Sequence, residues 1–280
     1  MKLPVRSFSV MLFAITLAWA IAGCVPVPPT PVLVAPDGSL VEAPPPPSDS
    51  DEVQADKLLA EAQTLRRQNK SEQAERVEKG LVDQWPGTSA AAQVLFEQAK
   101  RAHQAGDSQT VIRKLEKLLF YRPDFTQIDT AREIYAQALV QVQRFADAAS
   151  MLGALYASAT EPARLVSLGK LYIQSLREIE RSAEALRVCV DLMAIESLSN
   201  EDRETIEKLA GDVVLNHLSP EEAENIWKTY SSDPRWSFIH PMVGYQLGQL
   251  FYDEKAYDAA KTALGTVIER YAQTEYGKQA

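Results

Sequence analysis

From Asp51 onward, apolar residues recur every three or four positions throughout, with breaks at short intervals. That is the period of amphipathic helices with one face turned to a core. No stretch alternates apolar and polar with a period of two, so no sheet is expected. The helical stretches also repeat. Ala62, Leu65, Ala74, Leu81 and Pro86 mark a first unit, and Ala99, Ala102, Val111, Leu115, Leu118 and Pro123 a second. Ala136, Leu139, Phe145, Ala148, Leu152 and Leu155 mark a third. Ala74, Val111 and Ala148 are each 37 residues apart, as are Ala223 and Ala260. A fixed period of this size is the signature of a stacked helical array.

The chain before Asp51 is different. Lys2 and Arg6 precede Phe8–Gly23, an apolar run interrupted only by Ser9 and Thr16. At 16 residues the run is short for a bilayer span of about 20 and suits the core of a signal peptide. It ends in Ile21-Ala22-Gly23-Cys24, which resembles a bacterial lipobox. The resemblance implies removal of residues 1–23, diacylglycerol on the Cys24 sulfur, and palmitate or a similar third acyl chain on its amine. Ala20-Ile21-Ala22 also fits an ordinary A-x-A cleavage site, and the whole run fits an uncleaved anchor. Lipoproteins retained at the inner membrane commonly carry Asp after the cysteine. Val25 stands there, so the resemblance implies the outer membrane, facing the periplasm.

Val25–Ser50 holds nine of the sixteen prolines. Proline removes backbone donors and fixes φ, so residues 24–50 read as a disordered, extended tether. At ~3.1 Å per residue the tether could reach about 80 Å.

Within the body, Leu247-Gly248-x-x-Phe251, then Tyr257, Ala260 and Leu264, resembles the tetratricopeptide repeat, a helix-turn-helix of about 34 residues. Leu168-Gly169-x-x-Tyr172 opens a similar unit whose second helix, about Ser182 to Ala194, starts late and implies a longer turn. Gly211, Val214, Ala223 and Trp227 give another, with Ser219-Pro220-Glu221-Glu222 as a helix start. The expected architecture for residues 51–280 is an all-α, right-handed tetratricopeptide-like solenoid of five to six units. Thr274–Ala280 resembles the opening of a further helix. It reads either as a short cap or as the front of something longer.

Charge and chemistry narrow the function. The net charge is −9, and −11 without the first 23 residues, which hold Lys2 and Arg6 and no acid. An acidic body without Lys/Arg runs argues against nucleic acid as a partner. The three histidines, His103, His217 and His240, are scattered, so no metal site and no cofactor is expected. No nucleophile elbow, phosphate loop or dinucleotide fingerprint occurs, and no catalytic residue is assigned. Cys189 lies in an apolar helical run and reads as a buried, inert thiol.

What remains is binding. In tetratricopeptide arrays the first helix of each pair lines a concave groove through positions 2, 5, 9 and 12. Carried onto this sequence, the resemblance places there Arg66, Phe96, Lys100, His103, Glu133, Gln137, Lys170, Lys208, Tyr245, Gln249 and Tyr252. Position 9 would hold Gln63, Lys100, Gln137, Lys170, Asp212 and Gln249. The asparagine carboxylate clamp of the chaperone-binding members is therefore absent. A polar, glutamine-bearing and partly aromatic groove suits an extended peptide or a partner domain. Lipobox, linker and helical repeats together resemble the N-terminal region of penicillin-binding-protein activators of the LpoA type. There the partner is a peptidoglycan synthase, and a second domain would follow Ala280. The alternatives are a BamD-like outer-membrane assembly lipoprotein, whose repeats usually start closer to the lipidated cysteine, and a general envelope-integrity scaffold.

Overall fold

The computed structural model describes residues 46–230 and 232–280 in full, together with the backbone of two short strands, 32–34 and 40–42. The leader, Cys24 and most of the tether lie outside the described residues. Among the described residues, thirteen α-helices follow one another: α1 Asp49–Arg67, α2 Ser71–Gln84, α3 Ser89–Gln104, α4 Ser108–Tyr121, α5 Ile128–Gln141, α6 Phe145–Ser158, α7 Pro162–Glu178, α8 Ser182–Met193, α9 Asn200–His217, α10 Pro220–Tyr230, α11 His240–Asp253, α12 Tyr257–Tyr271 and α13 Glu275–Gln279. A 3-10 turn, Pro234–Trp236, lies between α10 and α11. Five successive helix pairs, α1–α2, α3–α4, α5–α6, α7–α8 and α11–α12, pack closely, while α10 packs on α11 rather than on α9, and the units stack into a tetratricopeptide-like solenoid.

One turn geometry joins five of the pairs. Asn69, Gly106, Gln143, Glu180 and Lys255 all have φ between 60° and 74°. The amide one residue later donates back to the carbonyl five residues before it. These bonds are Lys70 to Leu65, Asp107 to Ala102, Arg144 to Leu139 and Arg181 to Leu176, each 2.9 Å, and Ala256 to Phe251 at 2.8 Å. This is the Schellman closure of a helix C-terminus, and it folds the next helix back in three residues. The pair α9 and α10 departs from it. Leu218 is extended, and Ser219 caps α10 by accepting from the Glu222 amide at 3.3 Å while Glu222 accepts from the Ser219 amide at 3.0 Å.

The fourth unit corrects the sequence expectation. The α7–α8 turn is three residues, as in its neighbours, and not longer. Ala185, fully buried, lies 37 residues after Ala148 and keeps the period. Twelve residues before Ala74, Val111, Ala148, Ala223 and Ala260 stand Ala62, Ala99, Ala136, Gly211 and Gly248, but Ile173 stands twelve before Ala185. Leu168-Gly169-x-x-Tyr172 therefore sits one helical turn early. It serves other contacts. A Cβ at Gly169 would lie 2.7 Å from Leu192 of α8, and one at Gly153 of α6 would lie 3.0 Å from the Tyr172 hydroxyl.

Small residues set the helix spacing elsewhere too. A Cβ at Gly248 would stand 2.4 Å from Leu264, which explains the glycine of the last clear unit. Leu81, Leu115, Leu139, Leu152, Leu176 and Leu186 are each under 2% exposed, in one core that runs from Ala55 to Ala263. Each pair lends part of its apolar surface to the next, so no pair is a domain by itself.

Before the body, β1 Val32–Val34 pairs antiparallel with β2 Leu40–Glu42, with Val32 opposite Glu42 and Val34 opposite Leu40. These strands lie in the segment read as an extended tether, outside the body for which no sheet is expected. The sequence carries a partial signal: Val32-Leu33-Val34 and Leu40-Val41-Glu42 flank Pro36-Asp37-Gly38, a turn-forming sequence.

The turn geometry predicts opposite outcomes for two glycines. Gly106 has φ +74° with no atom within 4 Å of an added Cβ, so Gly106→Ala should destabilise by about 1–2 kcal/mol through backbone strain alone. Gly80, in α2, is equally uncrowded, and Gly80→Ala should stabilise by about 0.5–1 kcal/mol. Denaturant titration reads both. A neutral Gly106→Ala would contradict the turn assignment.

Candidate functional site

The first helices of the pairs, α1, α3, α5, α7, α9, α11 and finally α13, pack side by side along the whole array. The second helices do not pack against one another to a comparable extent. An array that touches along one layer and splays along the other curves toward the touching layer. The first-helix layer is thus the inner face, where such arrays present extended binding surfaces.

All eleven expected groove residues lie on these helices, but several are engaged within the array. Phe96 is 2% exposed and meets Phe125 edge-on at 5.4 Å, so it is core and not groove lining. Lys100 covers it, with Nζ 5.3 Å from the ring centroid and 2.9 Å from Glu97. Glu133 accepts from Arg164 at 2.6 Å. Lys170 donates to Asp202 at 2.6 Å, and Arg177 to Asp212 at 2.6 Å. These three ion pairs staple α5 to α7 and α7 to α9. Gln249 donates to the Tyr245 hydroxyl at 2.8 Å, and Tyr245 lies 5.8 Å from the Tyr276 ring. His103 and Gln137 are half-buried, while Lys208 and Tyr252 are exposed, Tyr252 edge-on to Tyr257 at 5.6 Å.

Arg66 belongs to a charged cluster. Glu78 of α2 is 5% exposed, and it accepts from Arg66 at 2.7 and 3.0 Å, from Gln98 at 3.0 Å and from Arg101 at 3.2 Å. Burial pushes the Glu78 carboxyl up. The hydrogen bonds from Arg66 and Gln98 and the charge of Arg101 outweigh burial, and its pKa ends below the ordinary value. The cluster pins unit one to unit two and is structural.

With unit four in its correct register, position 9 holds Gln174, and Lys170 moves to position 5. Position 9 then reads Gln63, Lys100, Gln137, Gln174, Asp212 and Gln249. Gln137 and Gln174 face one cleft of about 820 Å³ between α5, α7 and the start of α9. Val140, Val166 and Leu171 supply its apolar surface, and the Lys170–Asp202 pair lies at its margin. Gln174 and Arg177 were missed from sequence because the Leu-Gly-x-x-Tyr match pulled the frame by one turn. The spacing of 37 from Gln137 would have found Gln174.

Chemically reactive groups do not converge here. Cys189 is fully buried, and burial pushes its thiol up to about 12, so it is not a nucleophile at neutral pH. Among the described residues no group of three or more His, Cys, Asp or Glu side chains is arranged to hold a metal ion. None of the described helices is long and apolar enough to cross a membrane.

The Glu78 cluster has a pH consequence. Its carboxyl pKa is lower folded than unfolded, so the stabilisation is complete above the unfolded value of 4.5 and is lost as pH falls through the folded value. Glu78→Gln should lower stability at pH 7 by about 1–3 kcal/mol, a discounted figure because Arg66 and Arg101 both reach solvent. The variant should also flatten the acid-side loss seen in urea titrations between pH 7 and pH 3. An unchanged acid limb would place the titrating group elsewhere.

No protein-family model matches the chain, and no curated protein matches it. A solved structure from the functional characterisation of Pseudomonas aeruginosa pilF aligns with 13% identity and a TM-score of 0.34, over 82% of this chain and 98% of that one. Likeness at that level transfers neither fold nor role.

Proposed function

We propose that the chain is a non-catalytic envelope lipoprotein, anchored through acylated Cys24 to the periplasmic face of the outer membrane, whose solenoid binds an extended segment of a periplasmic protein. The observation that carries the binding reading is the cleft between α5, α7 and α9 with Gln137 and Gln174 at equivalent positions. A carboxamide both donates and accepts, so two of them one repeat apart match the alternating donors and acceptors of an extended backbone. Val140, Val166 and Leu171 offer apolar contact to alternate side chains. The ion pairs on either side hold the three helices in register before a ligand arrives, which lowers the ordering cost of binding.

The finer reading rests on sequence. The lipobox supports the anchor, and the proline-rich segment supports a body working away from its membrane. A peptidoglycan synthase at the inner membrane is the partner class that such reach favours, which is the activator reading.

One experiment tests anchor and partner together. In cells fed labelled palmitate, affinity capture of the chain from solubilised envelopes should recover a labelled bait together with a peptidoglycan synthase. Cys24→Ala should lose the label. Gln137→Ala/Gln174→Ala should keep the label and lose at least tenfold of the synthase. Recovery of a β-barrel assembly complex without a synthase would contradict the activator reading, and a bait that stays labelled as Cys24→Ala would contradict the anchor.

A further inference from the structure

A second cleft, of about 550 Å³, lies near the end of the array, between α9, the segment after the 3-10 turn, α11 and α13. It is separate from the central cleft, and it differs in both surface and charge. Its apolar wall is Leu215, Phe238, Pro241, Met242 and Tyr276. Leu215 is 44% exposed, a large aliphatic side chain held at the surface inside a concavity rather than on an open face. Gly211 lines its floor without a side chain. A Cβ there would lie 3.4 Å from the Tyr276 hydroxyl and 3.9 Å from the Met242 sulfur.

Glu204, Glu207, Asp212 and Glu275 line the same cleft, against Lys208 alone. Asp212 is already matched by Arg177 at 2.6 Å. Lys208 reaches only Glu204, at 3.9 Å, and both of these side chains are more than 70% exposed. The cleft therefore presents excess negative charge beside an unfilled apolar wall. The central cleft instead carries the neutral Lys170–Asp202 pair.

We propose that this terminal cleft docks a basic, apolar-anchored peptide segment of a protein partner, in which a Leu, Met or aromatic side chain enters against Leu215, Phe238 and Met242 while a flanking Lys or Arg meets Glu204, Glu207 and Glu275. The apolar anchor supplies the affinity and the charges supply orientation and selectivity. An acidic or uncharged segment of the same shape is disfavoured by the rim. The site is independent of the central amide cleft, so the two stand or fall separately.

The test uses random twelve-residue peptides on phage, selected against the immobilised full chain, followed by anisotropy titration of the synthesised consensus peptide. The enriched sequences should carry Lys or Arg next to Leu, Met, Phe or Trp. Glu207→Lys should weaken the consensus peptide at least tenfold, and Leu215→Ala about threefold or more. Lys208→Glu should strengthen it about threefold, a gain that a merely structural role for α9 would not give. The Gln137→Ala/Gln174→Ala variant should bind it unchanged. Affinity should fall as NaCl rises, because the pairs at the rim are open to screening. Failure to enrich basic peptides, or equal binding to Glu207→Lys and Lys208→Glu, would overturn the proposal. Circular dichroism of each variant reports whether the array is intact.

Discussion

Most of this solenoid depends on turning one helix back on another in three residues, and on doing so four times in succession at a fixed interval. The left-handed residue of the Schellman turn does this at Asn69, Gly106, Gln143 and Glu180, each 37 residues after the last, and again at Lys255. Only one of the five is glycine. Gln143, Glu180 and Lys255 therefore sit in a conformation that costs about 1–2 kcal/mol each, and Asn69 in one that asparagine adopts more readily. Packing on both sides of the turn holds them there. The small residues inside the pairs, and the leucines between them, make that packing close enough to do so.

A fixed turn interval puts equivalent positions in line along the inner face, and two kinds of contact then share that face. Oppositely charged side chains from neighbouring first helices pair across it, as Glu133 with Arg164 and Arg177 with Asp212. Where amides or unmatched groups stand instead, the surface is left for a ligand. Gln137 and Gln174 leave a neutral, amide-lined cleft in the middle, and Glu204, Glu207 and Glu275 leave an acidic one at the end. The Glu78 cluster shows the same logic turned inward, with charges consumed in joining units one and two.

The period was legible because it is carried by small buried residues, which few other structures would require at that spacing. Ala74, Val111, Ala148, Ala223 and Ala260 all proved buried, and the second helix of unit four was placed to within a residue. The register inside unit four was not legible. Leu168-Gly169-x-x-Tyr172 satisfies the local motif one turn early, and only the long-range spacing distinguishes the two frames. Phe96 was misread because an aromatic at a groove position looks the same in sequence whether it faces solvent or Phe125. The ion pairs were invisible because their partners lie 31 to 35 residues apart on different helices. The pairing of Val32–Val34 with Leu40–Glu42 was hidden by the prolines around it, although Pro36-Asp37-Gly38 between them is a turn-forming sequence.

The central claim is that the amide-lined cleft between α5, α7 and α9 is the face a partner occupies. Site-specific photo-crosslinking in living cells tests this most directly. A benzophenone amino acid at Gln137 or Gln174 should trap a common envelope protein. The same probe at Gln84 or Asp191, exposed positions on second helices, should trap none. Equal trapping from both faces, or trapping only from the second helices, would contradict the account.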